Sequence, residues 1–190
     1  NSDGSAASLT SIPAANITGT LPAIDGSSLT GISGGLSEAD LWRLNTNTAL
    51  SPGDTAITAN WERADTYGAG NLGTGMTESS GVFSFPSTGY WLIISNVAVG
   101  YNGQSRGVSN RLNTTVDDGT WELATKSHGS HYDYDSGDTY ITVPANFLFD
   151  VTNVSTHKIK LEVGTQHTTQ LKGDTTNNQT HITFLKLGDT

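Results

Sequence analysis

Ser80-Gly81-Val82-Phe83-Ser84-Phe85-Pro86-Ser87-Thr88-Gly89-Tyr90-Trp91-Leu92-Ile93-Ile94 holds an apolar run that stops at a proline, a short turn, and a second apolar run. Pro86 has no N–H to give a ladder, so it ends the first strand, and Ser87, Thr88 and Gly89 supply turn chemistry before the next. After Gly89 both alternating sets are hydrophobic, Tyr90, Leu92 and Ile94 on one side, Trp91 and Ile93 on the other. This pattern predicts a central strand covered on both faces, able to run on through Val97, Val99 and Tyr101.

Strand candidates follow at residues 120–125, 139–144, 147–152, 157–163 and 181–187. The cleanest is Lys158-Ile159-Lys160-Leu161-Glu162-Val163, charged on one face and aliphatic on the other, which requires one wet face. Turn signals separate the strands at Asn102-Gly103, Asp117-Asp118-Gly119 and Ser136-Gly137-Asp138. Residues 52–78, with strand-like pieces at 55–61, read as edge strands and surface loops. The fold class is therefore all-β, a two-sheet jelly-roll sandwich.

Composition bounds the rest. The 190 residues suffice for one domain with a real core plus a short appendage, and the absence of cysteine excludes disulfides and thiolate metal sites. A net charge of −9, with nine scattered Lys and Arg, argues against nucleic-acid binding. No apolar run is long enough to insert across a bilayer as a helix. The start at Asn1, with no methionine or signal-like segment, reads as a trimmed piece of a longer chain.

Residues 8–33 carry a degenerate repeat: Leu9-Thr10-Ser11-Ile12-Pro13, Ile17-Thr18-Gly19-Thr20-Leu21-Pro22 and Leu29-Thr30-Gly31-Ile32. Units this short cannot bury their own aliphatics, so several chains winding together is the natural solution, with a disordered Ser/Gly-rich linker as the competing reading. Ser33-Gly34-Gly35 reads as a hinge, and Ser37-Glu38-Ala39-Asp40 matches a capping box that predicts one helical turn or a swivel. The expected organisation is a β-rich fibrous shaft and hinge at 1–36 and a head at 37–190.

The spacing Phe83-x-x-Pro86-x-x-Gly89-x-Trp91 before an apolar strand resembles the complement globular-head (C1q-like) family, related to the tumour necrosis factor jelly rolls. Residues 157–163 and Thr183-Phe184-Leu185-Lys186-Leu187 resemble that family's late strands, although Leu185 stands where a glycine usually follows the phenylalanine. The resemblance implies a homotrimer, with Tyr90, Leu92, Ile94 and Phe184 as trimer-core candidates. Burial of both faces of the Tyr90 strand within one monomer would satisfy the same pattern. Together with the repeats and Asp40-Leu41-Trp42-Arg43-Leu44, the chain looks like the distal part of a bacteriophage tail fibre. That likeness implies an extracellular virion protein whose head attaches to a host-cell surface glycan or protein.

Three copies of one modest site give high avidity, and aromatic rings stack on sugar faces while amides and carboxylates bond the hydroxyls. Tyr101, Asn102, Tyr132, Asp133, Tyr134 and Asp135 are the receptor-binding candidates. Trp121, inside a strand candidate, reads rather as packing under a loop. The cluster around Tyr132 also offers metal-ligand candidates, His128, His131, Asp133, Asp135 and Asp138, for calcium or for a transition metal on a three-fold axis. A solvated acidic loop is the competing reading, and no cofactor is expected.

Catalysis finds no motif, neither nucleophile elbow nor phosphate loop. Glu122 with Asp133 or Asp135 would be the pair for a capsule-degrading glycosidase, but no spacing singles them out. A purely structural trimerisation or decoration module of a viral fibre would carry the same repeats and the same head without binding a receptor. A secreted cellular protein with this head would be expected on a collagen-like stalk, and Gly-X-Y triplets do not occur in residues 1–40.

Overall fold

The computed structural model describes residues 35–101, 105–131 and 139–190. The chain divides into two units, Asn1–Ser33 and Gly34–Thr190, and every described residue belongs to the second. The expected shaft repeats therefore lie outside the described residues.

Regular structure among the described residues is all strand: β1 (Ala39–Leu44), β2 (Thr48–Leu50), β3 (Gly53–Ala56), β4 (Trp61–Arg63), β5 (Thr77–Ser79), β6 (Val82–Ser84), β7 (Gly89–Tyr101), β8 (Ser105–Thr115), β9 (Glu122–His131), β10 (Thr139–Val151), β11 (Lys158–Thr165), β12 (Thr169–Leu171) and β13 (His181–Gly188). They form two antiparallel sheets. The first runs β2-β12-β7-β13-β1-β4, with β10 along the other edge of β7. The second runs β5-β6-β11-β8-β9, with β3 also on β11.

The quoted stretch supplies the centre of this sandwich. Trp91, Ile93, Val97 and Val99 of β7 are buried against Ile159, Leu161 and Val163 of β11, with Leu112, Ile182 and Phe184 in the same core. Phe83 carries much of the aromatic packing, its ring 5.2 Å from Trp61, 5.3 Å from Phe184 and 5.6 Å from Trp42. At the corner, Gly89 adopts φ 140°, and a Cβ there would lie 2.4 Å from the Gly188 carbonyl oxygen. Only glycine lets β13 close on this turn. The Trp91 indole then donates to the Ser87 carbonyl at 3.2 Å.

Several expectations are corrected. The capping-box segment opens β1 rather than a helix: Glu38 accepts from the Gly75 N–H, and Asp40 accepts from the Met76 N–H, the Trp42 indole and Arg63. These carboxylates serve distant partners, which local sequence cannot announce. The segments at 139–144 and 147–152 fuse into β10 across Pro144, tolerated because β10 is an edge strand whose outer side needs no N–H there. The strand-like pieces expected at 55–61, by contrast, are present as β3 and β4, with Asn60 at φ 68° between them.

Strand β8 has no counterpart among the sequence candidates, because its inward positions are partly polar. Asn110 is fully buried and donates to the carbonyls of Val143 and Ser95, so its polarity is satisfied across the core. Finally, one chain covers only one face of β7. Phe184, expected in a trimer core, is 0% exposed and belongs to the core of the single chain, since its position in β13 alternates inward with Ile182.

Candidate functional site

The outward face of the larger sheet has two ends of different character. At one end, strand register lines up Ala39, Leu185, Leu92 and Leu148 in a row across β1, β13, β7 and β10. The next row contains Leu41 and Ile94, and Tyr90 lies one row to the other side. Within the chain none of these is buried, and Leu148, at 54%, and Tyr90, at 43%, are openly exposed. An apolar row of this length across four strands is unusual for a face that stays in water.

At the other end the same face turns polar. A cavity of about 460 Å³ is lined by Asn96, Tyr140, Lys172, Asn178, Gln179 and His181 among others. Tyr140 is 64% exposed, and the Lys172 ammonium sits 5.4 Å from its ring centroid. Asn96 Nδ2 donates to His181 Nε2 at 3.2 Å, fixing two of the lining groups against each other. The pair Thr139 and Tyr101 closes the β7–β10 ladder at this end.

A buried arginine holds the rim. Arg43, 0% exposed, donates Nε to Glu62 at 2.7 Å and Nη2 to Asp65 at 3.0 Å and the Thr175 carbonyl, and Nη1 to Thr66 at 2.7 Å and Asn178 at 3.4 Å. Two loops, one after β4 and one before β13, are thereby pinned to β1. The second loop is also tied locally by Asp174, whose Oδ1 accepts from Thr176 N and Oγ1 and from Asn177 N.

Those bonds, the Thr176 hydroxyl first, hold the Asp174 carboxyl down at about 2 from an ordinary 3.8. Because the folded value is depressed, the turn's contribution to stability is present in full above pH 3.8 and disappears as pH falls through about 2. Carbon-detected titration of the Asp174 carboxyl should give that low midpoint, and Asp174→Asn should remove this acid-linked step. A midpoint at the ordinary value would show the turn is not held this way.

Among the receptor-binding candidates, Asn102, Tyr132, Asp133, Tyr134 and Asp135 lie outside the described residues, and Tyr101 is placed only as the last residue of β7. Of the metal-ligand candidates, Asp133, Asp135 and Asp138 lie outside them too. The two histidines do not form a chelating pair. Three residues apart on β9, they fall on opposite faces, His128 exposed and His131 buried. His131 Nε2 donates to the Val99 carbonyl at 2.9 Å and Nδ1 pairs with the Thr139 hydroxyl at 2.8 Å, so both ring nitrogens are occupied by the fold. No cluster of three metal-ligating side chains occurs among the described residues.

Arg43, Tyr140, Lys172 and Asn178 are not among the residues that sequence singles out. A lone arginine inside Asp40-Leu41-Trp42-Arg43-Leu44 is the available signal for the first, because an arginine in an apolar strand requires partners. Nothing local marks the remaining three, which meet only through pairing of distant strands.

No protein-family model matches the chain, and no curated protein matches it by sequence. Solved structures do. Eiger, a tumour necrosis factor from S. frugiperda, superposes with a TM-score of 0.61 at 15% identity, over 80% of this chain and 93% of that one. Murine APRIL, in crystals at pH 8.5 and pH 8.0, superposes with a TM-score of 0.53 at 15% and 14% identity, over 78% of this chain and 99% of those. The head thus has a jelly roll of the tumour necrosis factor type, the fold its central stretch implied.

Proposed function

We propose that this chain is the homotrimeric distal part of a virion tail fibre, whose head attaches the particle to a saccharide on a bacterial surface. The observation that carries the reading is the open apolar row Ala39, Leu185, Leu92 and Leu148 on the outward face of the larger sheet. Two further copies of the same surface, arranged about a three-fold axis, are its natural cover, because residues near such an axis meet their own counterparts from the other subunits. The likeness of the repeats at 8–33 to fibre shafts supplies the context, and three-fold copies of one site supply the avidity that a weak sugar contact needs. The reading assigns no chemical step to the head. Glu122, the one described member of the glycosidase pair, is an exposed residue at the start of β9.

Light scattering of the full chain tests the assembly: a mass near three times the 20.0 kDa chain is expected. A mass of a single chain at micromolar concentration would sink the fibre reading.

A further inference from the structure

Trp121 lies away from both ends of the larger sheet, on the smaller one. It is only partly buried, and it borders a groove of about 290 Å³ on the outward face of that sheet, together with Glu78, Ser79, Ser84, Asp118 and Lys158. That volume is at the small end of ligand sites, the size of one or two sugar rings. An indole left on an outer sheet face is unlike the core tryptophans Trp61 and Trp91, whose rings pack on Phe83 and Phe85.

The ring is held in place from two directions. Asp117 Oδ1 accepts from Gly119 N at 2.9 Å, Thr120 N at 2.7 Å and the Thr115 hydroxyl at 2.9 Å, which fixes the turn immediately before Trp121. These bonds, the Gly119 N–H first, keep the Asp117 carboxyl ionised far below the usual carboxylate range. Lys160 places its ammonium 4.6 Å from the Trp121 ring centroid. A pre-set aromatic loses little freedom when a ligand stacks on it.

The chemistry of the groove selects its ligand. Both nearby ammonium groups are already paired, Lys158 with Asp118 at 2.5 Å and Lys160, over the Trp121 ring, with Glu162 at 3.3 Å, so neither is free to recruit an anion. Asp118 is paired with Lys158, and Glu78 accepts from the Gly81 N–H at 2.6 Å, which leaves each carboxylate a further oxygen to accept a hydroxyl. Thr77, Ser79 and Ser84 add hydroxyls that donate or accept. One apolar ring face bordered by hydroxyls and by carboxylate oxygens with no free ammonium fits the apolar face and hydroxyl rim of a neutral pyranose.

We infer that the Trp121 groove is a binding site for a neutral hexopyranoside or N-acetylhexosaminide. It deepens the attachment reading, resting on it for the source of the sugar, and it moves the contact from the loop tips to the flank of the smaller sheet. Because this flank is on the sheet away from the apolar row, trimer formation through that row leaves it open.

The test titrates the full chain with methyl glucoside, methyl galactoside, methyl mannoside, N-acetylglucosamine and N-acetylgalactosamine, following the Trp121 indole N–H resonance. Trp121→Phe identifies that resonance by its loss. At least one of these sugars should shift it saturably in the millimolar range, and Trp121→Ala should weaken that binding about tenfold or more, the order for a truncated aromatic anchor. Asp118→Asn, which tolerates the left-handed φ of 61° at that position, should also weaken binding while the protein keeps its melting temperature. Absence of any shift, or unchanged affinity in both variants, overturns the site. A trimer that binds none of these sugars removes the groove alone, whereas a monomer that binds them removes the fibre reading and leaves the groove.

Discussion

Replacing Arg43 by alanine should lower stability by about 3–5 kcal/mol, the range for removing one member of a buried charged network. For a chain of this size that corresponds to a fall in Tm of roughly 10 °C. The reasoning lies in what is left behind. Glu62 and Asp65 keep side-chain exposures of 26% and 80%, so their carboxylates can rehydrate at modest cost. The Thr175 carbonyl and the Thr66 and Asn178 side chains lose their shared donor, and a void opens where a fully buried side chain stood. Urea denaturation of wild type and Arg43→Ala measures it. Because the same arginine pins the loop that presents Asn178 to the Tyr140 cavity, amide exchange in residues 174–178 should accelerate in step. A loss below about 1 kcal/mol would show that the two loops hold themselves and that the arginine is incidental.

Leu92→Glu should convert the proposed trimer to monomers at micromolar concentration. In one chain Leu92 is half-covered on an outward face, so a carboxylate there stays wet and the fold survives. In an assembly built on the row through Leu185, Leu92 and Leu148, three such carboxylates would be desolvated without partners, each costing several kcal/mol. That total exceeds what a modest interface supplies. Val116→Glu, at a residue 60% exposed just past the end of β8, is the control and should leave the mass unchanged. If both variants keep the assembled mass, the subunits meet elsewhere.

These two experiments probe residues of different legibility. Leu92 belongs to the stretch that decides the fold, and its outward set, Tyr90, Leu92 and Ile94, is one side of a strand that needs more cover than a small sandwich offers. Arg43 stands out as an oddity in an apolar segment, but its partners lie 19 to 135 residues away and no local pattern names them. The same holds for Glu38 and Asp40, whose local resemblance to a helix cap gives way to long-range bonds with Gly75, Met76 and Arg63. Strand β8 is illegible for a related reason: Asn110 is a core residue only because Ser95 and Val143 are there to satisfy it.

What the sequence alone determined is the part governed by short-range rules. Alternation at 158–163, the proline and glycine around the β6–β7 corner, and the two-sided apolar run after Gly89 fix strands and turns within a few residues of themselves. An all-β jelly roll follows from counting them. Tertiary structure decided the rest, because register brings together residues that sequence keeps apart. Pairing put Leu41, Leu92, Leu148 and Leu185 on one open face, set Tyr140 beside Lys172 and Asn178, and left Trp121 bordering a groove instead of the core. A strand's pattern states which of its faces are apolar; whether each face meets the core, a ligand or another copy depends on the strands that pair beside it.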